Sequence, residues 1–160
     1  AIRMKEPSQA DLVRKRLMNI RMRLYASPDY IAKNGTPERI EDISDHRLIC
    51  QNPRSAQVAS GLALVQRLMT YNVSSMLTVN NYFGVLQSVI HGLGIGMLPD
   101  YSTQDLDSVV RVLPDVESVE VPVYLAYPEE LRQSKRIAAF RDFVEAEILA
   151  TRRRQRDQDA

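Results

Sequence analysis

Strand-like and helix-like spacings of apolar residues alternate along this chain, and that alternation limits the fold more than any other feature. Residues 20–26 alternate apolar and polar side chains with a period of two, which predicts a strand. Residues 81–91 carry an apolar stripe at helical spacing, and the stripe stops at Gly92. Alternating elements of this kind predict an α/β fold, with a mixed sheet flanked by helices.

The remaining elements follow from short apolar runs and from capping residues. Apolar runs bounded by turn residues predict further strands at residues 1–4, 48–51, 62–68, 76–79, 95–98, 109–113 and 121–127. Helix starts are predicted where a capping residue precedes a proline or an apolar stripe, at Ser27, Thr36, Asn80 or Asn81, and Ser134. Because Ala1 falls within a strand-like run, we expect the chain to be a fragment.

Composition places few limits on function. The chain has 160 residues, is 44% apolar and carries 21 basic against 20 acidic residues, so its net charge of +1 gives no general attraction to nucleic acid. The single cysteine, Cys50, excludes an internal disulfide and suits a reducing compartment. With neither a signal-like nor a membrane-spanning stretch, the sequence predicts a cytoplasmic protein.

Motifs for catalysis, metals and cofactors are weak. His46 and His91 are the only histidines and do not form a metal-ligand pattern, and no Gly-x-Ser-x-Gly motif frames a serine. The glycines at 92, 94 and 96 follow a helix and precede a strand, the reverse of a dinucleotide-binding motif. We therefore interpret Gly92 as the stop of the helix, and Gly94 and Gly96 as glycines that allow tight packing of the strand. We therefore predict no enzyme activity, no metal and no cofactor.

Two predicted helix starts can bind an anion. Ser27 follows the strand at residues 20–26, and Asn80 and Asn81 follow the strand at 76–79. Free N–H groups and the positive end of the helix dipole attract anions, and ligands of α/β sheets bind beyond the carboxyl ends of strands. Each cap also has an ordinary structural role, since every helix needs one.

Three pairs of segments together resemble LysR-type bacterial transcription regulators. They are Leu24-Tyr25-Ala26-Ser27-Pro28-Asp29-Tyr30-Ile31 with Gly35-Thr36-Pro37, then Val79-Asn80-Asn81-Tyr82-Phe83-Gly84 with Gly92-Leu93-Gly94-Ile95-Gly96-Met97-Leu98-Pro99, and finally Val123-Tyr124-Leu125-Ala126-Tyr127-Pro128 with Lys135-Arg136-Ile137. The resemblance covers about residues 1–149.

The resemblance implies a periplasmic-binding-protein-like (type 2) effector domain whose first subdomain is incomplete. Residues 1–22 and 121–150 are expected to form the remainder of the first subdomain, residues 23–120 the second, and residues 151–160 a basic disordered tail. The family's DNA-binding helix-turn-helix precedes this region. DNA contact is therefore expected only through that N-terminal domain. The other expected partners are a small effector and further copies of the chain, and no contact with a membrane is expected.

The expected function is ligand sensing, with a small anionic metabolite in a cleft between subdomains that modulates DNA binding and transcription. The expected effector-binding residues are Ser27, Asn80, Asn81 and Tyr82, with Arg3 and Pro99 as weaker candidates. Three alternatives stay open: a periplasmic-type solute-binding protein, which would need export; a small α/β enzyme, which would show turnover; and a dimerisation module, which no small molecule would stabilise.

Overall fold

The structure of the protein is a computed structural model. This structure describes residues 1–4, 6–9, 11–52, 62–71, 73, 75–103 and 106–158, with no side-chain detail for residues 62, 63 and 151–158. The strands are β1 Ile2–Arg3, β2 Leu12–Ala26, β3 Arg47–Gln51, β4 Ser75–Val79, β5 Ile95–Pro99, β6 Val110–Arg111 and β7 Val119–Pro128. The α-helices are α1 Pro28–Asn34, α2 Leu62–Met69, α3 Tyr82–Ile90 and α4 Lys135–Gln158, and 3-10 turns lie at Ile40–Asp45, Asp100–Ser102 and Glu129–Leu131.

The chain divides into two compact units. Unit 1 comprises Ala1–Asn19 and Pro122–Ala160, and unit 2 comprises Ile20–Val121. Unit 2 thus begins at Ile20 rather than at residue 23, where the sequence placed the second subdomain. Near its two ends, Arg21 Nε lies 3.7 Å from Glu120 Oε1 in an exposed ion pair.

Unit 2 is built on a mixed sheet, as expected from the alternating pattern. Its strands lie in the order β2-β5-β3-β4, and β6 pairs with β2. β3 is parallel to both β4 and β5, whereas β2 is antiparallel to β5, with Tyr25 opposite Gly96 and Met22 opposite Pro99. The carboxyl end of β2 therefore lies at the edge opposite to the carboxyl ends of β3, β4 and β5.

The core of unit 2 lies between α3 and this sheet. Val85 and Val89 on α3 are buried and pack in one cluster with Ile49 of β3 and Leu98 of β5. A β-carbon at Gly96 would meet Val89 Cγ2 at 2.5 Å and Val85 Cγ1 at 2.9 Å, so only glycine allows this close approach of helix to strand.

Gly94 and Gly92 also have the roles expected of them, Gly94 in strand packing and Gly92 in ending α3. A β-carbon at Gly94 would overlap the carbonyl oxygen of Arg47 on β3, and Gly92 has a φ of 68° in the turn that follows α3. The left-handed conformation at Gly92 is one that glycine adopts without steric strain.

Unit 1 contains β1, the first part of β2, the end of β7 and α4. β7 lies between β1 and β2 in the sheet order, and Ile2 of β1 pairs antiparallel with Leu125 of β7. Of the expected apolar stripe on α4, Val144 is buried, whereas Phe140 is 46% exposed.

Two expectations from the sequence need correction. Residues 62–68 were expected to form a strand, but Leu62–Met69 is the helix α2. Its buried side chains Leu64, Val65 and Leu68 lie at i, i+1 and i+4, which is helical spacing.

The backbone of α4 continues to Gln158, through most of the segment expected to be a disordered tail; residues 159 and 160 lie outside the described residues. Across the described ranges, every helix is too short or too polar to cross a membrane.

Candidate functional site

The candidate site lies at the carboxyl edge of the parallel strands in unit 2. Gln51 ends β3 and pairs in register with Val79, which ends β4. Gln51 Nε2 donates to the carbonyl oxygen of Asn80 at 3.3 Å, and the N–H of Asn52 donates to the carbonyl of Val79 at 2.7 Å. These contacts fix where the chain leaves β4, and they bring a buried glutamine beside the exposed Asn80.

Asn81 begins α3 as its N-cap. Its side-chain oxygen accepts a hydrogen bond from the N–H of Gly84 at 2.7 Å, and its Nδ2 donates to Asn80 Oδ1 at 3.0 Å. Because both asparagines are exposed, their carboxamides are accessible to a solute. The first N–H groups of α3 point toward the same region and carry the positive end of the helix dipole.

Tyr82 follows directly in the first turn of α3 and is partly buried. Burial, with a smaller contribution from the nearby Tyr101, raises the pKa of Tyr82 above its usual 10.0. The phenol is therefore neutral at pH 7 and can both donate and accept a hydrogen bond. Asn80, Asn81 and Tyr82 thus lie together at the start of α3, and their role in effector binding stays a prediction.

Pro99 ends β5 at this same edge and leads into a fixed charged cluster. Arg23 Nη1 lies 3.2 Å from Asp100 Oδ2, and the Tyr25 hydroxyl donates to Asp100 Oδ1 at 3.1 Å. The carboxylate of Asp100 is held by both partners and is largely shielded, with 20% of its side chain exposed. Its negative charge is consequently offset by the Arg23 guanidinium at this edge.

Ser27 is not brought together with these residues. It is the N-cap of α1, with its hydroxyl accepting from the N–H of Tyr30 at 3.2 Å, as the sequence predicted. However, β2 is antiparallel to β5, so Ser27 lies at the opposite edge from Asn80 and Pro99. Ser27 is 2% exposed, and a β-carbon at Gly92 would lie 3.3 Å from its oxygen. The expected convergence of Ser27 with the other candidates is therefore wrong.

Arg3 belongs to unit 1. It lies on β1, is exposed, and pairs in register with Tyr124 of β7. Its expected role in effector binding stays a prediction.

Gln51 is the residue that the sequence analysis missed. It was included in a predicted strand but not among the site residues. A polar residue that ends an apolar strand was the available signal, because the carboxyl ends of parallel strands are the usual place for ligand-binding groups.

The chemistry of this edge favours binding over catalysis. Amides, a phenol and helix N–H groups donate and accept hydrogen bonds, but none is a nucleophile or a general base with a pKa near 7. Within the described ranges, no group of three or more His, Cys, Asp or Glu residues is placed to hold a metal ion.

Comparison with known proteins gives the family. The model of the LysR substrate binding domain matches residues 1–148. The chain belongs to the LysR substrate-binding-domain family. An uncharacterized HTH-type transcriptional regulator of Escherichia coli, YhjC, is 27% identical over 120 residues, which cover 72% of this chain and 40% of that protein. The chain spans 40–50% of the length of the curated relatives it matches.

Solved structures show the same fold. The regulatory domain of CrgA, a LysR-type transcriptional regulator from Neisseria meningitidis, aligns with a TM-score of 0.72 at 21% identity, covering 92% of this chain and 74% of that one. The regulatory domain of Synechocystis CcmR, solved in complex with 2-PG, aligns with a TM-score of 0.65 at 17% identity, covering 92% and 72%. The chain therefore has the type 2 periplasmic-binding-like α/β fold of LysR regulatory domains.

Proposed function

We propose that this domain senses a small anionic metabolite for a LysR-type transcription regulator, and that the ligand binds at the carboxyl edge of β3, β4 and β5. The supporting observation is the exposed pair Asn80 and Asn81 at the N-terminus of α3, beside the buried Gln51. Three amides and the helix N–H groups match the hydrogen-bond acceptors of a carboxylate or phosphate.

The charges of the site agree with an anionic ligand. The N-terminus of a helix favours a negative charge by about 0.3–1 kcal/mol at an exposed position. The one carboxylate described next to Pro99, that of Asp100, is paired with Arg23 and so repels an anion less than a free carboxylate would. The complex of CcmR with 2-PG is a precedent for small-molecule binding within this fold.

In the whole regulator, ligand binding would stabilise one arrangement of the protein and so change its binding to DNA. The size of the change is limited by the difference in ligand affinity between the two arrangements. DNA would be contacted by the helix-turn-helix domain of the regulator, acting in the cytoplasm as a homo-oligomer. The cleft location expected from the family resemblance stays a prediction, as does the absence of catalysis. The regulators named above do not favour the solute-binding alternative.

Binding can be tested by thermal unfolding of the chain with a panel of small carboxylates and phosphate monoesters that includes 2-PG. A ligand present at 100 times its Kd stabilises the folded state by about 2.7 kcal/mol. In a protein of this size, that corresponds to a rise in Tm of about 5–10 °C. Neutral sugars are added to the panel as controls, and a rise in Tm with these neutral compounds alone would contradict the anionic class.

The site itself is tested by a matched set of variants. Asn81→Asp keeps an N-cap acceptor and suits the helix dipole, so the free protein should be as stable as before, while its added charge should abolish the ligand-induced rise in Tm. Asn81→Ser keeps the cap without the charge and should retain part of the rise. Ser27→Ala, at the opposite edge, should lower the Tm of the free protein and leave the ligand-induced rise intact. An unchanged rise in Asn81→Asp would refute this site.

A further inference from the structure

A buried hydrogen-bonded pair joins α1 to the start of β3 in unit 2, at the edge opposite the candidate site. The Tyr30 hydroxyl lies 3.2 Å from His46 Nδ1 and 3.1 Å from the backbone nitrogen of Arg47. Both side chains are almost fully buried, Tyr30 being 6% and His46 5% exposed. Their rings are 5.7 Å apart and tilted by 49°.

One partner of this pair has a fixed hydrogen-bonding role. The backbone N–H of Arg47 can only donate, so the Tyr30 oxygen accepts that hydrogen bond. When His46 is neutral with its proton on Nε2, its Nδ1 accepts the single phenolic proton of Tyr30, and both the hydroxyl and Nδ1 are satisfied.

We propose that this Tyr30–His46 pair is a proton-sensitive latch that holds α1 on the sheet of unit 2 and loosens when His46 is protonated. A proton on Nδ1 turns that atom from an acceptor into a donor. The Tyr30 oxygen then faces two N–H donors, and its own proton loses its acceptor inside the protein. An unsatisfied buried donor is costly, so the hydrogen bond between α1 and His46 is lost or reversed.

Charged and titratable groups on three elements surround His46: the 3-10 turn before it, α1 and β3. Asp42 and Asp45 lie on the 3-10 turn Ile40–Asp45, Tyr30 lies on α1, and Arg47 begins β3 with its guanidinium Nε bonded to Ser75 Oγ at 3.1 Å. Burial lowers the pKa of His46 below its usual 6.5, and it outweighs the two aspartates, which raise the pKa.

The sign of the pH effect follows from that direction. The unfolded chain takes up a proton on residue 46 at a higher pH than the folded chain does. The free energy of unfolding therefore falls as the pH drops below about 6.5. It levels off once folded His46 is also protonated.

The first test is 15N NMR of the histidine rings in the 160-residue chain. At pH 7.5 the latch predicts an unprotonated Nδ1 and a protonated Nε2 for His46. The opposite tautomer would overturn the proposal, because Nδ1–H cannot accept from Tyr30.

The second test compares amide hydrogen exchange in α1 at pH 7.5 and 5.5, after correction for intrinsic exchange rates. Protection in the wild type should fall by up to about tenfold at pH 5.5, because in the opened segment His46 takes up a proton near pH 6.5 whereas in the latched segment it does so only at lower pH. His46→Asn offers a carboxamide oxygen in place of Nδ1 but does not titrate, so its protection should change little with pH. The control His91→Asn, at the exposed second histidine, should behave like the wild type.

Two results would overturn the latch. One is a pH response in His46→Asn equal to that of the wild type, and the other is a wild type whose α1 protection does not change with pH. If His46→Asn fails to fold, Tyr30→Phe provides the alternative test. It keeps the ring and removes the hydroxyl, so α1 protection should already be reduced at pH 7.5 and its pH response should be smaller than that of the wild type.

Discussion

Replacing Gly96 by alanine tests how closely α3 approaches the sheet. The new methyl group would lie 2.5 Å from Val89 Cγ2 and 2.9 Å from Val85 Cγ1, well inside van der Waals contact. Overpacking of this kind costs about 1–3 kcal/mol, and the loss of flexibility in the unfolded chain offsets about 0.4–1 kcal/mol. We expect a net destabilisation of about 1–2 kcal/mol, which lowers the Tm by about 3–6 °C.

Gly94→Ala should be more damaging, although it adds the same methyl group. Its β-carbon would overlap the backbone carbonyl of Arg47, which cannot move by a simple side-chain rotation. To remove this overlap, β3 and β5 must separate near the pairing of Leu48 with Ile95. We expect a destabilisation of about 3 kcal/mol or more.

A double variant separates the two mechanisms. Val89→Ala removes the nearest obstacle to a methyl group at position 96, so Gly96→Ala with Val89→Ala should cost at least about 1 kcal/mol less than the sum of the single changes. The same second change should not rescue Gly94→Ala, because its obstacle is backbone. Thermal unfolding followed by circular dichroism compares the five variants, three single and two double, with the wild type. Equal destabilisation by the two glycine variants, or rescue of both, would refute this account of the packing.

Three further predictions concern single side chains. Ser27→Ala should lower the stability by about 1 kcal/mol through loss of the α1 cap, seen as faster amide exchange confined to α1. Burial raises the pKa of the Cys50 thiol to about 11, so iodoacetamide at pH 8 should modify it only after unfolding; rapid labelling of the folded protein would contradict its burial. Tyr25→Phe should lower the free energy of unfolding by about 1 kcal/mol, because Asp100 loses the hydrogen bond from the Tyr25 hydroxyl. Asp100→Asn should then destabilise the Tyr25→Phe protein less than it destabilises the wild type. Additive losses in urea unfolding would argue against this coupling of Tyr25 with Asp100.

Local signals in the sequence predicted local structure well. The caps Ser27 and Asn81, the stop at Gly92 and the packing glycine Gly96 all depend on residues within a turn of one another, and the structure confirms each of them. The helix α2 was missed because the short stretch 62–68, in which five of seven residues are apolar, fits a strand as well as a buried helix, and periodicity alone does not separate them.

The candidate site depended on information that is not local. The sequence shows that Ser27 and Asn80 each follow a strand, but not that those strands run in opposite directions in the sheet. Only the antiparallel pairing of β2 with β5 places Ser27 at the far edge. The same pairing information would have drawn attention to Gln51, because its importance comes from lying beside Val79 on the neighbouring strand.

The close ends of unit 2 bear on the order in which the two units can form during synthesis. Unit 2 is one continuous stretch, Ile20–Val121, whose ends approach each other through Arg21 and Glu120. All of its strands are available once residue 121 has left the ribosome. Unit 1 combines Ala1–Asn19 with Pro122–Ala160, so these two stretches can come together only after unit 2 has been synthesised. Since domains fold as units during translation, the carboxyl edge of β3, β4 and β5 can be assembled before the two stretches of unit 1 meet.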